Sequence, residues 1–130
     1  MIKQSNIDEI NSSFLYQRDD SRIDDWDVLD TSKEQIKGDC EDYALTLLWL
    51  ESKENLIRFV FNILLHRYTI YFCKAPNGEG HAVLKHDGYY IDNIQRKLVT
   101  KKDLQVAGYK RFIPAPNFVV LIRLLVGLAL

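Results

Sequence analysis

A thiol, an imidazole and a carboxylate occur in the order Cys40, His81, Asp92, which suits acyl transfer. A cysteine attacks as its thiolate, and a helix N-terminus favours that anion through unpaired N–H groups and the helix dipole. Cys40 stands at such a place in Gly38-Asp39-Cys40-Glu41-Asp42-Tyr43-Ala44. Gly38 permits a tight turn, Asp39 is a good N-cap, and Glu41 and Asp42 fall where the dipole favours acids. A nucleophilic thiol needs a base supplied from elsewhere in the fold. His81 follows Gly78-Glu79-Gly80, whose small residues leave access for a substrate. The imidazole in turn needs a group that fixes its tautomer and orientation. Asp92 comes 11 residues after His81, the length of two short strands and a turn, so a hairpin would set them side by side. The backbone N–H of Cys40 and the side-chain amide of Gln35 are the donors at hand for an oxyanion.

Each of these residues also has a purely structural use. Cys40 can be a small buried hydrophobe, His81 can fill space at a strand start, Asp92 can share a turn with Asn93, and Gln35 can be solvated. Cys73, in a run of strand formers, reads as core, as do Trp26 and Trp49. His66 and His86 read as a helix-face residue and a turn residue.

The elements that must position these groups follow from hydrophobic period. Residues 5–16 read as a short helix with Asn6 as cap and Ile7, Ile10, Phe14 and Leu15 on one face. Residues 17–37 are polar and acidic, anchored by Trp26, Val28 and Leu29. The helix that starts at Cys40 runs through Leu45, Leu47, Leu48 and Leu50 and is expected to be buried. Residues 55–66 read as a second helix in which Arg58, Asn62 and His66 form one polar stripe in an otherwise apolar surface. The period then changes. Tyr68–Cys73, His81–Lys85 and Tyr89–Asp92 read as an antiparallel meander, punctuated by Pro76-Asn77-Gly78 and His86-Asp87-Gly88. A short helix starts at Thr100, Tyr109–Ile113 returns as a strand, and Pro114 and Pro116 break the chain. The expected division is a domain over 1–113 and an apolar tail over 114–130.

GDCEDYA, then GHAVL, then IDN, in that order, resembles the bacterial transglutaminase-like cysteine peptidase family, from about Trp26 to Ile113. The resemblance implies an α+β, papain-like or transglutaminase-like fold, with the nucleophile helix packed on a small antiparallel sheet. It implies Cys40 as nucleophile, His81 as general base and Asp92 as the orienting carboxylate, and the 41 residues from Cys40 to His81 suit the family. The compact form with PNGEGHAVL is most similar to small members from tailed-phage genomes. The departure is at residues 55–67, where members usually carry a polar loop and this chain has the apolar helix.

Asp39, Glu41 and Asp42 pose a physical problem, because carboxylates beside a thiol disfavour its thiolate. They cap the helix with their charges turned away, or a cation neutralises them. Calcium accepts several carboxylate oxygens, and periplasmic members of the family bind it through the acids of the matching D-C-E-D motif. The resemblance therefore implies Asp39, Glu41 and Asp42 as calcium ligands. The chemistry itself requires no cofactor.

Composition narrows the class. The chain has 130 residues, 47% hydrophobic and 27% charged, which is one globular domain by length. A net charge of −1 gives no basic footprint for nucleic acid, and the resemblance implies a protein or peptide substrate. The charge is uneven. Residues 1–42 carry five Lys/Arg against twelve Asp/Glu, and residues 43–130 carry twelve against six. Two cysteines make no disulfide framework. The first fifteen residues hold Asp8 and Glu9 and no apolar run, so no signal peptide is read and the cytoplasm is expected. Residues 55–66 and 118–130 are so apolar that a second subunit, another protein or a membrane surface is expected to cover them, the alternative being that both cover the open face of the sheet. Two function classes stand side by side: a cysteine hydrolase of peptide or amide bonds, and a catalytically silent binding or virion structural module that keeps the same fold.

Overall fold

The structure, a computed structural model, describes residues 1–16, 36–38, 40–65 and 67–115. Trp26, Gln35, Asp39, His66 and the apolar segment 118–130 lie outside the described residues. The architecture is α+β. In chain order the elements are α1 (Gln4–Ser13), β1 (Phe14–Tyr16), β2 (Ile36–Gly38), α2 (Cys40–Glu51), α3 (Leu56–Leu64), β3 (Thr69–Lys74), β4 (Gly80–His86), β5 (Tyr89–Ile91), α4 (Lys101–Val106) and β6 (Lys110–Pro114).

A four-stranded antiparallel sheet in the order β5-β4-β3-β6 forms the centre, and β1 pairs parallel with β2 apart from it. The β4–β5 hairpin turns on Asp87-Gly88, both at positive φ (52° and 79°), the two-residue geometry that matches strand twist. This turn fixes the register His86↔Tyr89, Lys85↔Tyr90 and Leu84↔Ile91. Continued by one step, it sets Asp92 opposite Val83, with His81 as its diagonal neighbour on the same face.

Period-two alternation divides the core in two. Ile70, Ala82, Leu84 and Ile91 face α2 and join Cys40, Tyr43, Ala44, Leu47 and Leu48 in one buried cluster. Cys73, Val83 and Tyr90 point to the other face and pack with Val99, Leu104 and Tyr109. Leu104 comes from α4, whose entry is held by a capping box. Thr100 Oγ1 accepts from Asp103 N at 3.2 Å, and Thr100 N donates to Asp103 Oδ2 at 2.9 Å.

Four local expectations change. The first helix ends at Ser13, and Phe14 and Leu15 continue into β1, so Leu15 is exposed rather than on the helix's buried face. Asn6 lies inside that helix after an N-cap at Lys3, and its side-chain amide donates to Glu51 instead of capping. Ile36–Gly38 form strand β2, with Gly38 opposite Tyr16, where the sequence predicts no strand. The supposed polar stripe of the second helix is not a solvent stripe. Asn62 is buried and donates to Ser52 Oγ at 2.9 Å, tying α3 to the end of α2. Apolar residues occupy the outer face of α3 instead. Among the described residues no helix is long and apolar enough to cross a membrane.

Candidate functional site

His81 is the second residue of β4, directly opposite Cys73 on β3. Its ring lies on the face of the sheet away from α2, 5.8 Å from the ring of Tyr109. Asp92 follows the last residue of β5, where the chain leaves the sheet in a turn closed by Arg96 N to Asp92 O at 2.9 Å. The Asp92 carboxylate is almost wholly buried, at 1% exposure, and three donors converge on it. His81 Nε2 contacts Oδ2 at 2.7 Å, the Tyr109 hydroxyl donates to Oδ2 at 2.6 Å, and Gln95 N donates to Oδ1 at 2.7 Å. An ionised carboxylate only accepts, so His81 Nε2 carries the proton and Nδ1 holds the lone pair in the neutral ring. That is the tautomer a general base requires. Tyr109 is held well above the usual phenol range, first by burial and then by its bond to Asp92, so it stays a donor.

Beside this pair lies a cleft of about 290 Å3, lined by Ala75, Asn77, Gly80, His81, Asn93 and Ile94, with Glu79 at its edge. A side chain at Gly80 would meet nothing within 4 Å, so the strand start is open to it. Asn93 is buried and, among the described residues, its Oδ1 has no hydrogen-bond partner.

Cys40 is the first residue of α2, with Glu41 and Asp42 in the first turn. It is buried in the α2-side cluster, which includes Ala82 and Leu84 of β4. One hydrogen bond of the thiol runs to Glu41 Oε2 at 3.2 Å. His81 is bonded to Asp92 and not to Cys40. The structure therefore brings His81 and Asp92 together as the spacing predicts. It places Cys40 at the helix start, on the other face of β4 from the imidazole. Gln35 and Asp39 lie outside the described residues.

Cys73 is buried, and burial together with the charge of Asp92 pushes its thiol up to about 11. It behaves as core, as its strand context predicts.

Glu41 and Asp42 are consecutive on a helix, so their side chains do not face one another, and Glu41 is engaged by the thiol. Among the described residues no three His, Cys, Asp or Glu side chains cluster to hold a metal ion. Glu41 and Asp42 suit the dipole at the start of α2, and the third acid of the motif, Asp39, lies outside the described residues.

Sequence reasoning missed two participants. Tyr109 read only as the start of a strand, and nothing local marks it, since its bond to Asp92 spans 17 residues. Asn93 read as a turn residue, and its burial beside His81 depends on where β5 ends. Comparisons with protein-family models, with curated proteins and with solved structures return no match to this chain.

Proposed function

We propose that the chain is a cysteine-dependent hydrolase of peptide or amide bonds, working through an acyl-enzyme on a papain-like or transglutaminase-like scaffold. The observation that carries the reading is the buried 2.7 Å contact of His81 Nε2 with Asp92 Oδ2 on the wall of an open cleft. With Nε2 held by Asp92, Nδ1 is the ring nitrogen left to act as base, and Cys40 heads α2, which packs on the same strand.

His81 Nδ1 takes the proton of the Cys40 thiol, and the thiolate sulfur bonds to the substrate carbonyl carbon. The resulting oxyanion is met by the Cys40 N–H, with the side-chain amide of Gln35, five residues upstream, as the second donor. The imidazolium, held by Asp92, gives its proton to the leaving amine as the C–N bond breaks. Water then loses a proton to His81 and attacks the thioester carbonyl. The acid departs and the thiol regains its proton. An amine in place of water would give transamidation by the same steps. The mechanism requires the Cys40 thiol to leave Glu41 and reach His81 Nδ1 around the open start of β4 at Gly80 when substrate binds. Catalytic hydrogen bonds are often unmade before substrate binds.

One observation favours the second reading, a silent binding or virion module. The Cys40 thiol is buried and donates to a carboxylate, which stabilises the thiol over the thiolate. Digestion of an unbiased peptide library separates the two. The proposal expects cleavage that Cys40→Ala abolishes with the fold intact. Cleavage that persists in Cys40→Ala contradicts the thiol mechanism, and no cleavage of any library member favours the module.

A further inference from the structure

The surface of α3 is unusual for a helix of a monomer. Leu56, Ile57, Phe61 and Leu65 are 65%, 68%, 51% and 56% exposed, while only Phe59, Asn62 and Ile63 are buried against the rest of the chain. Single exposed apolar side chains need no explanation, but four from one helix and its first following residue make a contiguous patch that calls for a cover.

Charge identifies the cover. Along one edge of the patch runs a cleft of about 740 Å3 whose lining includes Ser52, Arg58, Asn62, Arg67, Tyr68 and His86. Two acids also line it, and both are already engaged. Glu51 accepts from Lys3 N, Asn6 and Tyr68, and Asp87 pairs with the Met1 ammonium at 2.7 Å and with His86 Nε2 at 3.3 Å. Among the described residues neither Arg58 nor Arg67 has a carboxylate within 4.0 Å, the reach of an ion pair. From Asn55 to Tyr68 the chain contains both arginines and no acid at all. A second copy seated on this face would bring cation against cation, with no carboxylate from either helix to answer them. A layer of lipid phosphates supplies the missing charge and an apolar boundary in one surface.

We propose that α3 docks on an anionic lipid surface, with Leu56, Ile57, Phe61 and Leu65 entering the headgroup boundary and Arg58 and Arg67 holding lipid phosphates. The helix lies in the plane of the interface, because nine residues are far too few to cross. Long arginine side chains reach from such a helix to the phosphate level while their stems stay on apolar surface. The docking is independent of the chemistry proposed at Cys40.

The test is flotation of the full chain with vesicles of phosphatidylglycerol and phosphatidylcholine, and with phosphatidylcholine alone. The protein should float with the anionic vesicles, be released by salt, and stay behind with the neutral ones. Each of Arg58→Gln and Arg67→Gln should weaken binding about fivefold. Ile57→Ser with Phe61→Ser should abolish it while leaving residues 116–130 untouched, and both positions are exposed, so the circular dichroism spectrum should not change. Absence of flotation with anionic vesicles overturns the proposal. So does flotation that survives the serine pair, or equal binding to neutral vesicles. A dimer in solution that the serine pair converts to monomer assigns the face to a second copy and overturns it too.

Discussion

Tyr109 gives its hydroxyl proton to the same Asp92 oxygen that holds His81, at 2.6 Å and 2.7 Å respectively. The two donors reach one carboxylate from β4 and from the residue just before β6, so the orientation of the imidazole depends on how the sheet closes around Asp92. Tyr109→Phe removes one donor and keeps the ring. Hydrolysis should fall by about tenfold, from loss of one hydrogen bond to a buried charged group. Asp92→Ala should cost orders of magnitude in turnover with little change in KM. The pH profile of turnover should move in Tyr109→Phe, which a purely structural role for the ring would not produce. An unchanged profile with full activity would leave Tyr109 as packing alone.

Glu41 sits on the Cys40 thiol. Its Oε2 accepts from Cys40 Sγ at 3.2 Å, and a negative acceptor there holds the proton on sulfur. Glu41→Gln removes the charge and keeps the shape. Alkylation of Cys40 near neutral pH should become several-fold faster. A slower or unchanged rate would mean that Glu41 does not restrain the thiol.

Calcium should have no effect on stability. A ligand of the native state raises the melting temperature by mass action, but Glu41 and Asp42 point to different sides of the first turn of α2. Adding millimolar calcium to EGTA-treated protein is expected to leave the Tm where it was. A rise in Tm that Asp39→Ala abolishes would put a metal at the motif and contradict this.

The junction of α2 and α3 rests on one buried polar pair. Asn62 Nδ2 donates to Ser52 Oγ, which itself donates to Leu48 O at 2.8 Å. Asn62→Ala strands part of this chain away from water and should cost about 1–3 kcal/mol in urea denaturation. A loss below about 0.5 kcal/mol, the range of an ordinary surface substitution, would show the pair to be dispensable.

Much of this arrangement was legible in the sequence because local rules governed it. The change of period after Arg67, the Asp87-Gly88 turn and the eleven-residue interval from His81 to Asp92 together anticipate the hairpin and its buried pair. Thr100 announced α4 because a capping box is written in consecutive residues. What escaped depends on tertiary contact. Asn62 shares helical spacing with Arg58, and only the packing of α3 on α2 turns it inward. Phe14 and Leu15 fit a helical face by period, yet pairing with β2 draws them into a strand. Most consequential is the sheet face. Spacing predicts that His81 and Asp92 meet, but not that alternation along β4 puts Ala82 and Leu84, rather than His81, on the face that carries α2.

The proposed mechanism stands on Cys40 being activated by His81, and the most direct measurement is the rate of iodoacetamide alkylation at each cysteine of the native protein, resolved by mass spectrometry across pH. Cys73 should stay slow at neutral pH and gain reactivity only as the pH approaches about 11, because burial and Asp92 keep it protonated below that. The account predicts that Cys40 reacts at least tenfold faster than Cys73 at pH 7, and that His81→Ala removes most of that advantage. Two cysteines equally slow at pH 7, or a Cys40 rate indifferent to His81→Ala, would contradict it.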